Sequence, residues 1–285
     1  MTKILRPNSP TDAARCLIKN EGAIAMAGCT DLMVIDYAEQ RTHPAVVDLL
    51  AVPELAGITD EPGGGLRIGA TTTFQTIGSN PIVQSRYPIL AEAAACIGGW
   101  QIQNRATLGG NIANASPAGD SLPVLLALDA EVTLVGPSAE RRIDYRQMHL
   151  GYRRTALQTG EFVGWVHLPP PSSFQQFRKV GTRAAQAISK VVVAMTAEPD
   201  GNVMTNVRVA AGSIAATPIH LEGVEALLEG QGFEAELADR AEVLARSETH
   251  PIDDVRSTAA YRSHVLGRVI RRMILAGRSG VLTKK

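Results

Sequence analysis

TLGGNIANASPAGDSLPVLLALD, residues 107–129, is the stretch on which the reading of this chain turns. Its glycine pair Gly109-Gly110 removes the Cβ atoms that would hold an anion away from the main chain, and Thr107 and Asn111 add side-chain donors. A second segment, Ala27-Gly28-Cys29-Thr30-Asp31, has the same character and precedes an expected helix, so main-chain N–H groups and a helix start converge there. Two such loops are able to grip a pyrophosphate from both sides. Each read alone is equally a tight turn, and neither matches G-x-G-x-x-G or a phosphate-binding P-loop. Gly63-Gly64-Gly65 follows Glu61-Pro62 and precedes an apolar run, which makes it a hairpin turn.

The rest of the chain supplies two domains' worth of elements. It has 285 residues, 45% hydrophobic and 20% charged, ordinary for a globular protein and enough for sizeable cores. Basic and acidic residues balance at 28 each, which excludes a global field for nucleic acid or an anionic membrane. Cys16, Cys29 and Cys96 are far apart, with no C-x-x-C pair, against a local zinc motif, cysteine-ligated clusters or a disulfide framework. The opening residues lack the apolar core of a signal peptide, and no run is long enough to span a bilayer. A cytoplasmic protein is expected.

Ser9-Pro10-Thr11-Asp12 reads as a helix start. Strands are expected over 23–27, 45–50, 66–70, 131–135 and 161–168, with a helix from Thr30 and an alanine-rich helix over 88–98. Pro169-Pro170-Pro171-Ser172-Ser173 is the best linker, dividing domains at 1–172 and 173–285. Beyond it, strands are expected over 174–180 and 203–212, and helices over 222–228, 233–247 and 258–276.

The stretch 107–129 closely resembles the FAD-binding, or medium, subunits of molybdenum hydroxylases, the family of xanthine dehydrogenase and carbon monoxide dehydrogenase flavoproteins. AGCTDLM at 27–33, FRKVGTRAAQAISKVVVA at 177–194 and DDVRSTAAYR at 253–262 resemble the same family, in the family's order. The resemblance implies an α+β chain: a p-cresol methylhydroxylase-type FAD-binding domain, then a small carbon monoxide dehydrogenase flavoprotein C-terminal-type domain. Carried over by position, it implies FAD contacts from Ala25, Met26, Ala27, Gly28, Cys29, Thr30, Asp31 and Leu32 in the first loop. Thr107, Leu108, Gly109, Gly110 and Asn111 form the second, with Asn114 and Ser116 able to donate nearby. Asp120 matches an acidic residue near the adenosine ribose and otherwise caps the helix after it. Val163 matches a position lining the flavin, or is a buried strand residue; Lys179 matches a lysine reaching the cofactor, or is a solvated strand edge. Many relatives carry a second glycine where Cys29 stands, so the loop either holds that residue in an ordinary conformation or bears strain. Cys29 also admits a redox-thiol reading, without a paired cysteine to support it.

No histidine falls in either loop, so FAD is expected to be non-covalent there, and no catalytic acid or base stands out. The resemblance implies an electron-transfer subunit, with a molybdenum-cofactor large subunit and an iron–sulfur small subunit as partners and NAD or another carrier as acceptor. Gly151-Tyr152-Arg153-Arg154-Thr155 resembles the xanthine dehydrogenase-type members, which points to N-heterocycle oxidation by the complex. A free-standing FAD oxidase of this fold and a non-redox nucleotide-binding assembly module remain as alternatives. From Arg256 onward there are eight basic residues and no acidic one, either a solvated helix face with its tail or a surface for an acidic partner.

Overall fold

The computed structural model describes residues 2–278. Strands β1 (Lys3–Leu5), β2 (Ile24–Met26) and β3 (Ala45–Asp48) form a parallel sheet in the order β1-β3-β2. Helices α1 (Pro10–Lys19) and α2 (Leu32–Glu39) make its crossovers. Ser9 caps α1, its hydroxyl accepting from Asp12 N at 3.1 Å, as its position before Pro10 leads one to expect. β3 ends at Asp48 because the next residues turn into a 3-10 helix, shorter than the run expected to Leu50.

An antiparallel sheet follows, in the order β4-β5-β10-β6-β7, built from β4 (Ile58–Asp60), β5 (Leu66–Gly69), β6 (Glu131–Val135), β7 (Glu140–Asp144) and β10 (Phe162–Leu168). Between β7 and β10 lies a small hairpin, β8 (His149–Gly151) and β9 (Arg154–Thr155). Between β5 and β6 the chain packs six helices against the sheet: α3 (Phe74–Ser79), α4 (Pro81–Arg86), α5 (Pro88–Cys96), α6 (Trp100–Gln103), α7 (Leu108–Asn114) and α8 (Leu122–Ala127). Leu66, Ile68, Phe74, Leu90, Leu108, Ile112, Leu125 and Val166 share one buried cluster there. All six residues of α8 are buried, which is why that helix carries no amphipathic pattern.

The C-terminal part is a four-stranded antiparallel sheet, β11 (Phe174–Val180), β12 (Val191–Asp200), β13 (Val203–Gly212) and β14 (Ile219–His220), in that order. Helices α9 (Glu222–Leu228), α10 (Ala235–Ser247) and α11 (Ala259–Arg278) cover one face. The opposite face meets α8: Ala194 and Ala210 join the cluster of the N-terminal part, and Thr196 Oγ1 donates to Ala127 O at 2.8 Å.

Part of the C-terminal basic run is paired within the chain. Arg268 reaches Glu242 at 3.3 Å and Arg271 donates to Asp239 at 2.5 Å, so these basic residues of α11 tie it to α10. Arg268 nonetheless keeps 56% of its side chain exposed on that face. Lys284 and Lys285 of that basic run lie outside the described residues.

Candidate cofactor site between the two glycine segments

The first glycine segment is the turn between β2 and α2. It is a parallel-sheet crossover, and such strand ends are where open α/β units expose main-chain donors. Among the described residues, no intramolecular acceptor pairs with the N–H groups of Gly28, Cys29, Thr30, Asp31 or Leu32; the first closed bonds of the turn are Met33 N to Cys29 O and Ile35 N to Asp31 O. The helix begins at Leu32, two residues later than expected, and Asp31 makes no side-chain cap bond. Cys29 has φ +62°, a left-handed conformation that disfavours side chains. The loop therefore holds cysteine where a glycine would rest without strain. Its thiol donates to Ala27 O at 3.4 Å, and burial pushes its pKa up, with Arg105 opposing. That works against thiolate reactivity and hence against a redox role.

The second segment corrects an expectation. It is not an open loop but the N-terminus of α7, concealed because a glycine pair has poor helix propensity. Thr107 is the N-cap, its hydroxyl accepting from Gly110 N at 3.2 Å. Leu108 N donates to Thr72 O, Gly109 N to Ala70 O and Asn111 N to Thr107 O, so four of its N–H groups are engaged within the chain. The glycines here allow close packing instead: a Cβ at Gly109 would collide with Ala70 of the strand end, and one at Gly28 with the Arg105 carbonyl, where the two segments touch. Gly110 is different. A Cβ there would meet only Thr107 Oγ1, at 2.9 Å, and the position faces a cavity.

Two cavities meet at these segments. The smaller, about 270 Å³, is lined by Ala25, Ala27, Gly28, Cys29, Thr30, Asp31 and Leu32 from one side and by Thr107, Gly110, Asn111 and Asn114 from the other. The larger, about 1000 Å³, is bounded by both parts of the chain. Asn111, Ser116 and Asp120 stand on its N-terminal wall, and Gln186, Ile188, Ser213, Ile252 and Arg262 on the opposite one. Asp31, Asn111 and Asn114 line both, which joins the two spaces at one point. Ile97, Ile102, Tyr152, Ile188 and Ile252 give the larger cavity an apolar lining suited to a flat ring system.

Five expected residues stand elsewhere. Met26 is in β2, and Leu108 and Gly109 are packed in the core of α7, none of them on a cavity wall. Val163 is 3% exposed on β10 within the main core, the buried-strand alternative. Lys179 stands behind the cavity wall on β11, its Nζ 2.6 Å from Asp120 Oδ2 and 2.8 Å from Cys96 O. Side-chain exposures of 9% and 8% make this a buried ion pair rather than a solvated edge. Asp120 also accepts from Ser189 Oγ. Burial pushes its carboxyl up, and Lys179 and Ser189 pull it back. It does not cap α8, whose N-cap position is Ser121. Tyr152, Arg153, Gln186, Ile188, Arg256 and Arg262 are lining residues that site reading of the sequence missed, although all fall in the motif stretches 151–155, 177–194 and 253–262.

Residues 1–171 match the FAD binding domain in molybdopterin dehydrogenase, and residues 175–276 match the CO dehydrogenase flavoprotein C-terminal domain. The chain belongs to the family of molybdenum hydroxylase FAD subunits. It is 31% identical over 237 residues to the carbon monoxide dehydrogenase medium chain of Hydrogenophaga pseudoflava, covering 81% of this chain and 80% of that one. It is 29% identical over 266 residues to the xanthine dehydrogenase FAD-binding subunit of Escherichia coli O157:H7, covering 92% and 91%. A solved structure of the H. pseudoflava carbon monoxide dehydrogenase superposes with a TM-score of 0.92 at 28% identity, over 98% of this chain and 97% of that one. The fold is thus the FAD-binding domain followed by the flavoprotein C-terminal domain, and FAD is the cofactor of this family. The unpaired N–H groups of the first segment, the missing Cβ of Gly110 and the apolar residues lining the larger cavity fit that cofactor. Among the described residues, no helix is long and apolar enough to cross a membrane.

Proposed function

We propose that this chain is the electron-transfer FAD subunit of a xanthine dehydrogenase-like molybdenum hydroxylase complex. It takes electrons from iron–sulfur clusters on a small partner subunit, downstream of a molybdenum-cofactor large subunit, and delivers them to an external acceptor such as NAD. The observation that carries this reading is the pair of joined cavities, with the two glycine segments at one and both parts of the chain around the other. FAD supplies the redox chemistry when bound. The chain's own residues bind and orient: the N–H groups of Gly28 to Leu32 face an anion's charge, while Ile97, Ile102, Tyr152 and Ile188 exclude water from a ring. Asp120, held by Lys179 and Ser189, fixes the wall between. The domain division at 1–172 and 173–285 places the boundary in the proline linker, and three free cysteines support a cytoplasmic site of action.

The test uses the purified full chain. It is expected to carry FAD, with flavin absorption in the visible, and to pass electrons from NADH to an artificial dye while oxidising no N-heterocycle. Adding the molybdenum and iron–sulfur subunits is expected to restore flavin reduction by the hydroxylated substrate. Turnover by the single chain alone would favour the free-standing oxidase, and a colourless chain would favour the assembly module.

A further inference from the structure

The smaller cavity has an electrostatic gap. Among its lining residues there is an acid, Asp31, and no base. Asp31 Oδ2 is buried and has no hydrogen-bond partner. A diphosphate placed against this carboxylate meets like charge, which disfavours both ionised groups. Open N–H dipoles alone leave that repulsion uncompensated.

The turn of the β8–β9 hairpin delivers a cation to this point. Arg153, at this turn, has φ +50°, a conformation favouring glycine or asparagine. Its Nη1 donates to Asn114 Oδ1 at 3.1 Å and lies 3.6 Å from Asp31 Oδ2. Asn114 and Asp31 are two of the residues at which the cavities join. A guanidinium carries five donors in a planar fork, and one of the two outer nitrogens makes the bonds described, so the fork still offers N–H groups to an oxyanion. The other two arginines on the larger cavity, Arg256 and Arg262, are both paired with Asp254 at its C-terminal side.

We propose that Arg153 is the counter-ion of the cofactor diphosphate, brought by the hairpin to the point where the two cavities join and neutralising Asp31 there. The inference rests on the FAD reading given under Proposed function. Asn114 positions the guanidinium through its Oδ1, which accepts from Arg153 Nη1.

The experiment strips FAD from the purified full chain and titrates back FAD and riboflavin, which lacks the diphosphate, by quenching of flavin fluorescence. Arg153→Gln is expected to weaken FAD binding by roughly tenfold or more, the loss of a charge-assisted contact. Riboflavin affinity is expected to stay unchanged, and the salt dependence of FAD binding to flatten. Arg153→Lys is expected to recover part of the loss, since it keeps the charge without the fork. Asp31→Asn added to Arg153→Gln is expected to recover another part by removing the repulsion. Unchanged FAD affinity in Arg153→Gln overturns the proposal while leaving the FAD site intact. Equal loss of FAD and riboflavin overturns it too, reducing Arg153 to a support for the hairpin. Failure of the unmodified chain to bind FAD would overturn the site reading itself, a result the variants cannot produce.

Discussion

Lys179 Nζ lies 2.6 Å from Asp120 Oδ2, an ion pair between a strand of the C-terminal sheet and the start of α8. Its neighbours complete the bonding: Cys96 O takes a second bond from Lys179, and Ser189 Oγ donates to the other Asp120 oxygen. Truncating one member of a buried pair leaves the other charge unpaired, at a cost of about 3–5 kcal/mol. Lys179→Met is therefore expected to destabilise the chain by that amount in urea unfolding, and Asp120→Leu by a similar amount. The double variant is expected to recover most of the loss. Additive losses would show that the pair is not coupled.

Gly28 and Gly110 are expected to separate in their effects. Gly28→Ala drives a Cβ into the Arg105 carbonyl, forcing the two segments apart. The expected loss is about 1–3 kcal/mol of stability, with FAD content falling alongside. Gly110→Val meets only the Thr107 hydroxyl, so FAD content should collapse while the thermal transition shifts little. Full flavin occupancy in a folded Gly110→Val chain would remove this position from the site.

Cys29→Gly relieves a left-handed cysteine. The strain is worth on the order of 1 kcal/mol, so a rise of the melting temperature by a few degrees is expected, with FAD affinity kept. Cys29→Val, branched at Cβ, should do the opposite. A fall in stability for Cys29→Gly would show that the thiol's bond to Ala27 outweighs the backbone.

His149 carries a pH signature. Its Nε2 is 2.9 Å from the hydroxyl of fully buried Tyr145, and burial lowers its pKa from 6.5 to about 4. The unfolded chain then takes up a proton that the folded one refuses. Stability is complete above pH 6.5 and declines as pH falls towards 4, by up to roughly 3 kcal/mol. His149→Gln should flatten this acid limb in denaturant titrations at stepped pH. An unchanged limb between pH 6.5 and 4 would remove His149 as its cause; Asp254, whose pKa is held at about 2, loses its contribution only below about pH 4.

What could be read in advance follows from range along the chain. The Ser9 cap and the last helix, α11, rest on neighbours in sequence, and they stand where local chemistry puts them. β12 carries a continuous apolar run because both its faces are buried, so it lacks the alternation that marks a half-exposed strand. α7 is concealed by its glycine pair, of which Gly109 allows close approach to Ala70. The partners of Lys179 and Asp120 are 59 residues apart, and no spacing announces such a pair. The site residues follow the same rule: the first glycine segment, contiguous in sequence, lines one cavity together, whereas Arg153 arrives on a hairpin whose docking depends on tertiary structure.

The walls of the larger cavity run from Asp31 to Arg262. During synthesis, the N-terminal part emerges first and begins to fold while the ribosome is still making the opposite wall. A nascent chain that has released both glycine segments can offer a diphosphate grip but no enclosure. Loading is thus a late event in the life of the polypeptide, and occupancy reports that translation has passed α11's first turn. Ligand present at a thousand times its dissociation constant would then add about 4 kcal/mol to the finished fold. Scarcity of flavin in the cell would show up as a shortened protein lifetime before it showed up as lost turnover.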